Sequence, residues 1–268
     1  MSQSLIVARL ALDVAAATLP LYSHPKSPRK FTQPQLLACL VLRSYWKLTF
    51  RGLEDLLTAS GEIRRVLGLA HVPDHSTLQK SEERKVTHEL VDAAVAKLLE
   101  IAQPDTRTAA MDSSGLEPTT RSSFYQTRSG KTRKHYVKLS AIILCGSLLL
   151  CSLVVSRGPC NDKSEARRLL ESAPKSIRPK RLLANAGYDA EWVHQFCYET
   201  WKVRADGHVN GRWRSKMLKL PKPYGTRWHV ESFMSGLKRM LGSQLTSRKD
   251  TTLNAEAALR VLTYGIVR

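Results

Sequence analysis

The chain has 268 residues, 43% of them hydrophobic, with 42 lysines and arginines against 23 acidic residues, a formal net charge of +19. That length holds one or two domains, and that apolar content excludes a disordered chain. A positive surplus of this size points to a polyanionic partner, because each phosphate neutralised releases counterions. The five cysteines (Cys39, Cys145, Cys151, Cys160 and Cys197) form no CxxC and no pattern with the eight histidines. This argues against zinc and against a disulfide framework, and fits a reducing cytosol. Arg9 and Asp13 interrupt the apolar N-terminal stretch, which also lacks a basic leader, so no signal peptide is expected.

In chain order, residues 1–104 read as an all-helical N-terminal domain. Thr32-Gln33-Pro34-Gln35 opens a helix, with Thr32 as N-cap, proline in the first turn and Gln35 reaching back as in a capping box. Amphipathic helices follow over 48–60 and 63–69, with Gly68 near a C-terminus. A turn then leads to a polar helix, capped by Ser76 with Gln79 three residues on. Short helices ending in a polar one suit a helix-turn-helix DNA reader or a helical subdomain with a solvated face; the pattern alone leaves both open.

After residue 104 the periodicity changes. Strands are expected over 106–118, 135–145 and 147–156, then a helix over 163–173, a fourth strand over 181–187 and a helix over 190–201. Gly187 makes the turn after the fourth strand, and Asp189 is placed to cap the helix that follows. A short fifth strand is expected near 201–205, then a long helix over 225–243 and a last one over 254–267. The most apolar run, 139–156, is too short for a membrane span and is broken by Cys145-Gly146-Ser147, so a buried hairpin and no membrane association are expected. The order describes a mixed α/β layer structure over 105–268.

The positive charge is concentrated. No acidic residue lies between Glu117 and Asp162, where Arg121, Arg128, Lys131, Arg133, Lys134, Lys138 and Arg157 fall. A second acid-free run, 207–230, carries Arg212, Arg214, Lys216, Lys219, Lys222 and Arg227. Tyr125, Tyr136, Trp213 and Trp228 are interleaved, as in a track for nucleic acid. Within the second run and just after it, Tyr224, Arg227, Glu231 and Lys238 are spaced to share one stripe of a helix. Such a stripe is either a polar site or a solvated face with Arg227–Glu231 as an i,i+4 pair.

That spacing, Y-x2-R-x3-E-x6-K, resembles the signature of the DDE transposases of bacterial insertion sequences, an RNase H-like group. "AMDSSGLE" resembles the strand that carries the first aspartate, here Asp112, and "ANAGYDAE" the strand of the second, here Asn185. "SRGPCNDKSEA" and the region from Lys47 to Lys80 resemble other parts of the same proteins. The resemblance implies an RNase H-like mixed five-stranded sheet flanked by helices over 105–268, preceded by an all-helical DNA-binding domain over 1–104. It implies metal-dependent cleavage and strand transfer of double-stranded DNA at terminal inverted repeats and target DNA, by a homodimer on DNA, in the bacterial cytoplasm at the nucleoid.

By the same resemblance Asp112, position 185 and Glu231 are the catalytic trio, with Asp112 and Glu231 as ligands of two Mg²⁺ ions about 3.5–4 Å apart. Tyr224, Arg227 and Lys238 would hold phosphates near the cut, with Arg128, Lys131, Arg133 and Lys134 on the DNA track. Asn185 departs from the family's aspartate and brings no negative charge, so the second ion should bind poorly and this copy should be impaired. Asp189, placed first of all as a helix cap, and Asp162 and Glu117 are the acidic residues in reach of completing the site. The alternative is an inactive DNA-binding remnant or repressor of the element.

Overall fold

A computed structural model of the chain describes residues 2–119, 136–174, 176–202, 204–206 and 222–268. Contacts divide it into two units, one of Met1–Leu98, Met240–Gly242 and Ser247–Arg268, the other of Leu99–Arg239 and Ser243–Thr246.

The first unit is helical: α1 (Gln3–Thr18), α2 (Gln33–Tyr45), α3 (Phe50–Ala59), α4 (Gly61–Leu67), α5 (His75–Lys85) and most of α6 (His88–Ala102). The expected capping box forms at α2, where the Gln35 backbone donates to Thr32 and the Thr32 backbone to the Gln35 side chain. The Gln35 amide also donates to the carbonyl of Gly68, the left-handed C-cap of α4, at 2.6 Å. One side chain thus closes the start of one helix and the end of another. The cap of α5 is Asp74, not Ser76. Its carboxylate accepts from the Thr77 backbone at 2.9 Å and from the Ser76 hydroxyl at 2.7 Å. A charged acceptor at a helix N-terminus outcompetes a hydroxyl, and those hydrogen bonds hold the Asp74 carboxyl well below the usual range.

The C-terminal helix belongs to this unit, whereas the sequence division placed it with the sheet. It runs from Asp250 to Val267 and packs on α2, α5 and α1. Leu253, Ala257, Leu259, Val261, Leu262 and Ile266 are buried on every side of it, which requires surrounding helices and not one sheet face.

The second unit is built on five strands: β1 (Thr108–Pro118), β2 (Tyr136–Leu144), β3 (Leu149–Gly158), β4 (Arg181–Ala184) and β5 (Arg204–Asp206). Their order is β3-β2-β1-β4-β5. The first three form an antiparallel meander, and β4 and β5 join it in parallel. This mixed five-stranded order is the one that the sequence resemblance implies. The apolar run over 139–156 is the hairpin of β2 and β3, as the sequence suggested. A two-residue strand, β6 (Gln244–Leu245), continues alongside the end of β1.

The remaining helices of this unit are α7 (Asp162–Ser172), α8 (Glu191–Phe196), which runs into a π-helical turn over Cys197–Trp201, and α9 (Trp228–Leu241). The expected helix over 225–243 begins instead as a 3₁₀ turn, Lys222–Arg227. Pro223 and Gly225 explain this, one lacking a donor and the other costing backbone entropy in a regular helix. In this unit Ala110, Met111, Leu139, Ile142, Leu182 and Phe233 are fully buried. Among the described residues no helix is long and apolar enough to cross a membrane.

Candidate active site

Alternation along β1 decides what the site contains. Successive side chains of a strand point to opposite faces, so Asp112 and Ser114 share one face and Ser113 takes the other. On the first face, Arg227 donates to Asp112 at 2.8 Å and Lys238 donates to the Ser114 hydroxyl at 2.7 Å. Asp112, Ser114, Glu231, Lys238 and Arg239 line a cavity of about 570 Å³ there. On the second face, the Ser113 hydroxyl donates to Asp162 at 2.7 Å. Ser140, its partner across the strands, donates to Glu165 at 2.7 Å. Lys138, two residues before Ser140, pairs with Asp162 at 2.6 Å.

The structure therefore brings Asp112, Asn185, Arg227 and Glu231 together, and seats Lys238 beside them. Arg227 forms one ion pair with Asp112 and a second with Glu231. The Asp112 carboxyl is 15% exposed, and burial raises its pKa, with the Ser113 backbone and Arg227 acting against that rise. Ser114 and Arg239 are not among the residues that the sequence singles out; the serine pair after Asp112 is the one trace of Ser114, and Arg239 stands next to Lys238. Arg128, Lys131, Arg133 and Lys134 lie outside the described residues. Tyr224 falls in the 3₁₀ turn, and its side chain is likewise outside the description.

Asn185 stands at the end of β4, with its amide held at both ends. Its oxygen accepts the Gly187 backbone N–H at 2.9 Å, and its nitrogen donates to Asp112 at 2.7 Å. The Gly187 donor fixes this orientation, because an amide turned the other way would set N–H against N–H. The side chain thus presents hydrogens, not a lone pair, to the Asp112 carboxylate.

Neither spare aspartate supplies the missing charge. Asp162 comes up beside Gly187, near Asn185, but its carboxylate is engaged by Lys138 and by Ser113, whose side chain points away from Asp112. Asp189 does not cap α8, whose N-cap is Ala190. Its carboxylate instead meets the buried His194 ring at 2.9 Å. Among the described residues no group of three or more His, Cys, Asp and Glu side chains is placed to hold a metal ion.

Two magnesium ions call for several anionic oxygens converging from separate elements. Here both Asp112 oxygens are occupied, Glu231 is paired with Arg227, and position 185 offers a donor where a ligand is needed. The donor set does not fit a two-ion site.

Gly187 has no room for a side chain. A methyl group there would run into the Asp162 carboxylate and come within 2.9 Å of the Asn185 oxygen. Gly187→Ala should therefore destabilise the protein by about 1–3 kcal/mol in urea unfolding. A variant as stable as the parent would mean that the turn yields to a methyl group.

Residues 103–266 match the family model described as transposase DDE domain. No curated protein matches the sequence. Among solved structures, the chain is similar to a piggyBac transposase synaptic complex with hairpin DNA, at 10% identity over 98% of this chain and 71% of that one, with a TM-score of 0.46. It is also similar to the Mos1 strand transfer complex, at 13% identity over 90% of this chain and 78% of that one, with a TM-score of 0.32.

Proposed function

This chain belongs to the transposase DDE domain family, and from that premise we propose that it binds double-stranded DNA at the terminal inverted repeats of a mobile element, with its own cleavage and transfer step impaired at Asn185. The family's activity is DNA transposition, and its chemistry uses a divalent metal. The observation that carries the reading of impairment is the Asn185 amide, locked between Gly187 and Asp112 with its hydrogens facing the carboxylate.

What remains at the site is suited to holding phosphate. Arg227 offers a planar fork and Lys238 a point charge, both beside Asp112 and Ser114. When a DNA strand enters, Arg227 exchanges its carboxylate partners for phosphate oxygens. The net charge of +19 supplies the long-range attraction. The N-terminal helices contribute to DNA binding, with the exposed Gln79, Lys80 and Arg84 of α5 directed at the duplex. The protein acts as a homodimer on terminal-repeat and target DNA in a bacterial cytoplasm, associated with the nucleoid. The same amide favours a second reading, a repressor-like remnant that occupies the element's ends without cutting them.

Gel shifts with repeat-bearing and scrambled duplexes, together with nicking assays in Mg²⁺ and Mn²⁺, test this. Wild type should bind the repeat duplex more tightly than the scrambled one and nick it no faster than Glu231→Ala. Nicking above that blank would overturn the impairment, and failure to bind either duplex would overturn the DNA reading.

A further inference from the structure

A second cavity in the sheet unit, of about 540 Å³, is not part of the site around Asp112. It lies where β1 and β4 begin. The two strands run parallel with Thr108 opposite Arg181, and the Arg181 backbone donates to the Arg107 carbonyl at 3.1 Å. This pairing sets Arg107 beside the "PKR" segment of residues 179–181, so that Arg107, Lys180 and Arg181 all line one cavity. Three cations gathered in one concave place repel one another. A single carboxylate among the lining residues, Asp105, offsets them. It grips the Arg107 guanidinium through two hydrogen bonds of 2.9 and 2.7 Å, which orients the fork and leaves a net positive cavity.

The rest of the lining adds no carboxylate. His229 donates its Nδ1 hydrogen to the Thr226 carbonyl at 2.6 Å. Burial pushes the Cys145 thiol up to about 11, so no thiolate opposes an incoming anion. Arg178, next to the same segment, is occupied elsewhere, donating to the carbonyls of Pro174 and Ile177. The cationic lining is thus a specific subset of the local basic residues and not a general surplus.

We propose that this cavity binds a phosphodiester of the DNA strand that also crosses the site at Asp112; the inference rests on the DNA reading above. Position fixes the spacing. Thr108 and Asp112 are four residues apart on β1, roughly 13 Å at the strand rise. B-form DNA advances about 3.4 Å per nucleotide along its axis, but the backbone winds around that axis and sets successive phosphates about 7 Å apart, so the phosphate held here is about two nucleotides from the one at Asp112. Lys238 lies toward the other end of β1, beside Ser114. Arg107 and Lys180 at one end and Lys238 at the other therefore align the backbone along the strand. An arginine fork and a lysine are the pairing expected for a phosphate.

The test is the salt dependence of binding to repeat-bearing duplex, measured for wild type, Arg107→Gln/Lys180→Gln and the control Lys163→Gln/Arg168→Gln. The control removes the same charge from the exposed face of α7. Arg107 is largely exposed, so the pocket variant should melt with wild type. It should bind more weakly, and its slope of log K against log salt should be shallower by about 1–2, against little change in the control. Ethylation interference should show sensitive phosphates about two nucleotides apart on one strand, with only one of them losing its effect in the pocket variant.

A slope and interference pattern equal to wild type would overturn the proposal while leaving DNA binding intact. If wild type bound no DNA, the functional reading and this inference would fall together. A parallel titration with inorganic phosphate separates the remaining source. Phosphate binding that is lost in the pocket variant, with DNA binding unchanged, would make the cavity a free-anion site and overturn its assignment to DNA.

Discussion

Asn185→Asp should melt below wild type in the absence of divalent ions, recover its stability in Mg²⁺ or Mn²⁺, and nick repeat-bearing DNA on the order of 10²-fold faster than wild type. The first effect follows from the 2.7 Å hydrogen bond between the Asn185 amide and Asp112. Aspartate at 185 keeps the Gly187 bond through one oxygen, so the turn is preserved. Its other oxygen then faces the Asp112 carboxylate, where a donor stood before. Burial already raises the Asp112 pKa, and a second carboxylate raises it further. Losing the hydrogen bond and gaining the repulsion costs about 1–3 kcal/mol without metal. A divalent cation would reverse the sign, because residue 185 and Asp112 would then both be able to hold it. Its contribution to phosphodiester chemistry is several kcal/mol, and each 1.36 kcal/mol is tenfold in rate, so about 10² is the lower end of the gain. Melting curves with and without Mn²⁺ measure the first part independently of activity. A variant indifferent to metal in both assays would mean that Arg227, bridging Asp112 and Glu231, shuts ions out whatever stands at 185.

Much of the site was legible in the sequence because its parts are local. The Arg227–Glu231 spacing survives a change from 3₁₀ to α-helix between them, since an i,i+4 pair tolerates it. Asn185 was placed correctly because an apolar pair followed by a glycine turn marks the end of a strand. What failed was long-range or competitive. Asp162 lies close to Asn185 but is claimed by Lys138 and Ser113, partners that only the register of β1 and β2 reveals. Asp189 looked like a helix cap until the buried His194 ring claimed it. Ser76 lost its cap to an aspartate two residues upstream, a competition between charge and hydroxyl that spacing rules do not rank. The C-terminal helix follows the sheet elements in the chain, and its all-round apolar surface is the sign that helices enclose it.

The second large effect lies in the helical unit. Arg43→Met should lower stability by about 3–5 kcal/mol at pH 7, and the deficit should shrink as pH falls toward 4.5. Arg43 on α2 and Glu82 on α5 form an ion pair of 2.6 Å with side chains only 8% and 3% exposed. The Arg43 guanidinium also stands 4.1 Å from the centre of the Phe50 ring, which covers it from water. Even with Arg43 present, burial raises the Glu82 pKa; Glu256 adds to the rise, and Arg43 and Arg260 oppose it. Removing Arg43 strands a buried carboxylate and drives its pKa higher still. A carboxyl group whose folded pKa is raised stabilises the fold when protonated. That contribution is complete below the unfolded value and is lost as pH rises through the folded one. The penalty is therefore largest above the raised pKa and smallest near or below 4.5. Urea unfolding of wild type and variant at pH 7 and pH 4.5 gives the difference directly. Arg43→Met/Glu82→Leu supplies the second arm, since replacing both partners of a buried pair by apolar groups is often neutral or stabilising. A deficit equal at both pH values, and undiminished in the double variant, would assign the loss to the packing of the Arg43 stem against Phe50 and not to the stranded charge.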